Sequence, residues 1–182
     1  ANSLDAAVCS DLTIGLTLAT NGTSVAAANY NITARTVTAG LTGAGTNVAV
    51  PASGVPANYL TGEIFTNTGA ISRTVTYTVV PVSASGCLGD AKNIIITIDP
   101  EPVVANGLNT TVCSDLPVAI NLNTNGTSVA AGNYNITSRT IAAGLTADGA
   151  NAIVPAAGVA AAYLATDKFT NLGAAALTVT YT

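Results

Sequence analysis

The 182-residue chain has no histidine, no methionine and no tryptophan, and only five lysines and arginines in all. Each shortage removes a class of chemistry. Without imidazole there is no Ser-His-Asp triad and no histidine-based metal site. The five cations, Arg35, Arg73, Lys92, Arg139 and Lys168, are scattered singly among nine acidic residues, giving a net charge of −4 and a pI near 4.3. No basic stripe exists to follow phosphates, so nucleic acid is not an expected partner. Apolar runs such as GVAAAYLA at 158–165 fall far short of the roughly 20 residues that cross a bilayer, so no transmembrane segment is expected. No basic start followed by an apolar signal core is present either. Lacking methionine, the chain is expected to begin at a processed or cut end. Charged residues make up 8% and hydrophobic ones 49%, whereas disorder requires high charge and low hydrophobicity.

What the chain does have is a copy of itself. NGTSVAAANYNIT at 21–33 returns as NGTSVAAGNYNIT at 125–137, and TVTYT at 74–78 returns at 178–182. The offset is 104 throughout, with no gap, and 48 of the 78 aligned positions are identical. The pairs Tyr30/Tyr134, Tyr59/Tyr163, Phe65/Phe169 and Tyr77/Tyr181 all recur, and such side chains supply most of the core area of a small sandwich. A period of this length matches an independently folding domain in a tandem array rather than a solenoid repeat. The expected organisation is repeat 1 at 1–98, a proline-containing linker at 99–104 (Asp99, Pro100, Glu101 and Pro102 at its start), and repeat 2 at 105–182. The second copy has no counterpart of 79–104 within the chain and is expected to be truncated, lacking its final strand or strands.

Periodicity predicts strands. TIGLTLAT at 13–20 places Ile14, Leu16 and Leu18 on one face, and Asn21-Gly22 suits a tight turn. YNITARTV at 30–37 turns Tyr30 and Ile32 inward. NVAVP at 47–51 and NYLTGEIFTN at 58–67 read as further strands. In RTVTYTVVPV, Val75, Tyr77 and Val79 share a face opposite Thr74, Thr76 and Thr78, and NIIITI at 93–98 is the last strand. Residues 155–165 are rich in alanine, but their twin carries two prolines and a glycine, which a helix does not tolerate. Both copies therefore read as an all-β sandwich.

Three cysteines follow the repeat: Cys9 recurs as Cys113, while the position matching Cys87 would be 191, past the end. A Cys9–Cys87 disulfide is expected, with Cys113 unpaired or partnered outside the window. Such a bridge would stabilise by about 4 kcal/mol in the chain-entropy model and would indicate an oxidising compartment.

VCSDL at 8–12 and TNTGAISRTVTYTVVPVSASGCLGDAKNIIITIDPEPVV at 66–104 resemble the PKD-like, immunoglobulin-like repeats of large Bacteroidota surface proteins. The resemblance rests on a Val-Cys-Ser opening, a Thr-Val-Thr-Tyr-Thr strand, a Gly-Cys-x-Gly turn, a final strand and a proline linker, in that order. It implies tandem immunoglobulin-like domains, export (often by the type IX route), an extracellular or cell-surface location, and a role in adhesin stalks, gliding adhesins or surface filaments.

Candidate chemistry is sparse. Asp11 and Asp115 follow the repeated Cys-Ser and read as turn acceptors for backbone N–H groups. Only Asp11/Asp115 and Glu63/Asp167 recur as acids, one member per domain, so no carboxylate pair for hydrolysis is expected and the chain reads as non-catalytic. Ca²⁺ could bridge Asp99 and Glu101 with Asp5 or Asp11 at the linker, although two prolines stiffen that stretch unaided; no cofactor is required. Asn21, Asn31, Asn109, Asn125 and Asn135 head N-x-T sequons, candidate glycosylation sites in a eukaryotic setting and turn or strand polars in a bacterial one. The expected function is a stiff structural spacer, partnered by neighbouring repeats and, in a filament, by identical subunits. A carbohydrate-binding module and a donor-strand filament subunit are the alternatives.

Overall fold

Thr, Val and Ile alternate along 73–83 and 92–99, and a period of two sends one set of side chains inward and the other to solvent. A computed structural model of the chain describes residues 4–45 and 47–182, and among these it holds strands and no helix. The chain divides into two compact units, one comprising residues up to Glu101 with Thr127–Val129, the other Pro102–Gly126 with Ala130–Thr182.

The first unit contains β1 (Ala6–Cys9), β2 (Ala27–Val37), β3 (Thr42–Ala44), β4 (Ala52–Val55), β5 (Ile64–Thr66), β6 (Arg73–Ser83) and β7 (Lys92–Asp99). Five of them form a sheet in the order β1-β7-β6-β2-β4, with β1 parallel to β7 and the other pairs antiparallel. A second layer is built on the β3–β5 pair. The stretch 11–18 runs beside it through Asp11 N–H to Phe65 O (3.0 Å), Ile14 N–H to Glu63 O (2.9 Å) and Leu18 N–H to Ala57 O (2.8 Å). Between the layers lie Tyr30, Ile32, Val75, Tyr77 and Val79, the β7 residues Ile94, Ile96 and Ile98, and from the opposite side Ile14, Leu16, Leu18, Leu60 and Phe65. The inward faces expected from alternation are the buried ones.

Strand regularity departs from expectation where backbone or side chain interrupts the ladder. Around Thr13 only a single bridge to Ile64 forms, because Gly15 takes a left-handed conformation (φ 61°) that an extended ladder cannot contain. Residues 47–51 are not a strand. There Asn47 bonds the backbone of Ile64 through both ends of its carboxamide, each at 2.9 Å. Residues 58–62 turn, with Thr61 N–H on Asn58 O (3.1 Å), and only Ile64–Thr66 is extended.

The second unit contains β8 (Tyr134–Ile136), β9 (Arg139–Ile141), β10 (Leu145–Ala147), β11 (Ala156–Val159), β12 (Phe169–Asn171) and β13 (Val179–Tyr181), paired β10–β12, β11–β8 and β13–β9. The alanine-rich 155–165 makes β11 and turns, as its proline-bearing twin requires. Val118, Ile136, Leu164 and Phe169 are buried at the positions of Ile14, Ile32, Leu60 and Phe65. Val179 and Tyr181 are only partly buried, whereas Val75 and Tyr77 are fully so.

Ordered pairing reaches into the stretch expected as a linker. Asp99 is the last residue of β7, not a linker residue. On the other side, Val104 bridges Thr124 and Ala105 N–H bonds Asn123 O (2.9 Å). Only 100–102 lies between these pairings.

Candidate functional site

Among the described residues of the first unit the buried charged side chain is Glu63, which directly precedes β5 and is 1% exposed. A carboxylate is costly to bury unless its oxygens are satisfied, and here three donors reach it. Arg35 Nη1 on β2 lies 2.9 Å from Oε2, the Val48 N–H is 2.6 Å from Oε1, and the Tyr77 hydroxyl on β6 donates to Oε2. The second unit repeats the arrangement on Asp167, with Arg139 Nη1 at 3.4 Å, Ala152 N–H at 2.7 Å and Tyr181 Oη at 2.5 Å. Aspartate is one methylene shorter, which accounts for the longer arginine contact. Each cluster pins its carboxylate to two strands and the 47–50 or 151–154 loop. Sequence reasoning found the acids and the tyrosines but did not join them to Arg35 and Arg139. Their common offset of 104, with opposite charges repeated at matching positions, was the available signal.

Burial pushes the Tyr77 and Tyr181 phenols well above their usual 10.0, and the neighbouring carboxylates reinforce the effect. A raised folded-state value favours the neutral phenol. Its stabilisation is complete below pH 10 and is lost as pH rises further. Tyrosinate absorbance and circular dichroism should therefore show these two tyrosines ionising only as the protein unfolds in alkali.

The Val-Cys-Ser-Asp motif does its work through serine and aspartate. Ser10 Oγ accepts the Asn67 N–H (2.8 Å). Asp11 occupies the left-handed region (φ 62°), which aspartate tolerates, and accepts the Thr66 hydroxyl at 2.5 Å. Ser114 and Asp115 do the same with Asn171 (2.8 Å) and Thr170 (2.5 Å). Asn67, fully buried, donates to Ile71 O and Ile98 O, both at 2.9 Å.

Glu101 joins this corner through its N–H on Asn67 O (3.1 Å), which brings its carboxyl beside that of Asp11. Burial, followed by the neighbouring Asp11 carboxyl and its charge, raises its carboxyl above the usual 4.5, against a smaller lowering by Ser10. Stability from a raised carboxyl is present below the unfolded value and is lost as pH rises through the folded one. Glu101→Gln should therefore melt above the parent at pH 7, the gap closing near pH 4. Asp99 instead accepts the Ser72 hydroxyl (2.6 Å) and Asp5 accepts the Ile95 N–H (2.8 Å). Among the described residues, no three or more Cys, Asp or Glu side chains are grouped to hold a metal ion.

The expected Cys9–Cys87 disulfide does not form; Cys9, Cys87 and Cys113 are free and exposed. Topology explains why. Parallel pairing sets Cys9 beside Asp99, at the end of β7. Cys87 sits in the turn before β7 begins, its N–H on Ser83 Oγ (3.1 Å). The eight residues of β7, roughly 25 Å of strand, separate the two, and a disulfide needs Cα atoms within about 7 Å. A thiol reagent should label three cysteines in the native, unreduced chain.

The remaining predicted positions have local roles. Oδ1 of Asn21 accepts Ser24 N–H (2.9 Å), that of Asn31 accepts Gly54 N–H (2.9 Å) and that of Asn135 accepts Gly158 N–H (2.9 Å); Asn109 is exposed and Asn125 partly buried. Tyr59 ties its hydroxyl to Ala49 O (3.0 Å) and Tyr163 to Ile153 O (2.8 Å), so neither is a free aromatic platform. An open groove of about 870 Å³ lies where the loop after Leu18 meets the β6–β7 turn, with Tyr30, Pro81, Cys87 and Ile94 on its walls. Neither buried carboxylate lines it. Among the described residues, no helix is long and apolar enough to cross a membrane.

Comparison with known proteins agrees with this architecture. A family model described as a PKD-like domain matches residues 6–102, just over half of the chain and nearly the whole first unit. No curated protein and no solved structure matches. With its all-β sandwich and repeated supports, the chain belongs to the PKD-like domain family.

Proposed function

We propose that the chain is a non-catalytic structural module, two PKD-like repeats that lend length to an extracellular bacterial surface protein as part of an adhesin stalk or filament. The observation that carries this reading is what the duplication preserves. The carboxylate–arginine–tyrosine cluster and the Ser-Asp corner recur in both units, and both hold layers together rather than face a substrate. PKD-like domains are generally non-catalytic, act as structural or adhesive modules, and usually occur in extracellular proteins. The Bacteroidota surface setting rests on the sequence resemblance and no longer draws on a disulfide.

Single-molecule pulling on the 182-residue chain between inert handles tests the idea. The expected record has two separate force-resisting events. Unfolding at negligible force would overturn the spacer reading, and saturable binding on a glycan array would replace it with the carbohydrate-binding one.

A further inference from the structure

We propose that Asn106 is a self-modifying site, where the chain turns its own carboxamide into aspartate or isoaspartate through a ring closed on Gly107. Asparagine is chemically labile, and the reaction needs a side chain free to swing, a following residue without a Cβ in the way, and a backbone N–H not held by a carbonyl. Asn-Gly occurs at 21–22, 106–107 and 125–126, and the structure separates the three. Oδ1 of Asn21 accepts the Ser24 N–H (2.9 Å), which fixes that carboxamide. At 125–126 the attacking group is occupied, since the Gly126 N–H donates to Thr124 O (3.2 Å), and Asn125 is partly buried.

Asn106 meets all three conditions. It is exposed, and among the described residues neither its side chain nor the Gly107 N–H has a hydrogen-bond partner. Gly107 turns with φ 86°, and the space beside its Cα is open. The residues just before it are held, with Val104 bridging Thr124 and Ala105 N–H on Asn123 O (2.9 Å). In the step itself the Gly107 nitrogen gives its proton to solvent base and bonds to Cγ of Asn106. The bond from Cγ to the side-chain nitrogen breaks and ammonia leaves, closing a succinimide. Water then opens the ring at either carbonyl. Both products add a negative charge, and isoaspartate also puts an extra methylene into the main chain beside the Val104–Thr124 bridge.

The test incubates the intact 182-residue chain in mildly alkaline buffer, folded and in urea, and maps peptides by mass for the gain that marks ammonia lost and water taken up. A hydrogen bond of ordinary strength guards each of the other two pairs, so Asn106 in the folded chain should convert about fivefold or more faster than either. In urea the three rates should converge, and Asn106→Gln should lose the fast phase alone. Equal rates in the folded chain, a lead by Asn21 or Asn125, or no conversion at Asn106 would overturn the proposal. None of these outcomes bears on the spacer reading, which the pulling experiment decides separately.

Discussion

Glu63→Ala should destabilise the first unit by about 3 kcal/mol, among the larger single-site losses in the protein. Removing the carboxylate strands three donors at once: a partly buried guanidinium, a backbone N–H and a buried phenol. Breaking a buried pair by deleting one partner typically costs about 3–5 kcal/mol. Arg35 keeps a quarter of its side chain exposed and can recover some hydration, which places the expectation at the low end. Glu63→Gln retains an acceptor oxygen but turns an NH₂ towards donors, and should cost about 1–2 kcal/mol. A cycle with Tyr77→Phe should show coupling of about 1 kcal/mol. Denaturant unfolding measures all three, and a loss below about 1 kcal/mol for Glu63→Ala would remove the cluster as a support. Asp167→Ala should cost less, because the arginine contact is longer at 3.4 Å and the surrounding unit more open.

The second large effect compares one residue in two settings. Phe65 is 1% exposed beneath the five-stranded sheet, and Phe169 is 9% exposed. Phe65→Ala should cost about 3–5 kcal/mol, the usual range for emptying a well-packed aromatic site. Phe169→Ala should cost roughly half as much, since its neighbours already touch solvent and can close on the gap. Equal losses would mean that the two units pack equally well despite their different exposure.

Much of this architecture was legible from residues. Alternation placed Val75, Tyr77 and Val79 inward because a strand has a strict period of two. The prolines at 51 and 56 excluded a helix from the alanine-rich twin for the same steric reason in both copies. Asp11 and Asp115 sit in turns as expected of them, but their left-handed backbone was not foreseen and their partners are threonine hydroxyls rather than N–H groups. Legibility failed where contacts join distant segments. Arg35, Glu63 and Tyr77 are separated by 28 and 14 residues, and no local pattern says that their side chains converge. Gly15 and Asn47 turned expected strands into irregular chain through one backbone angle and one side-chain substitute for the ladder.

By itself the sequence determined the duplication, the strand-forming alternation and the exclusion of imidazole chemistry, since these depend on residue type and short-range order alone. Tertiary structure decided that Cys9 and Cys87 sit at opposite ends of β7 and that a buried acid in each unit is held by an arginine and a tyrosine. Strand order and register set both, and these are fixed by which faces pack together rather than by spacing along the chain.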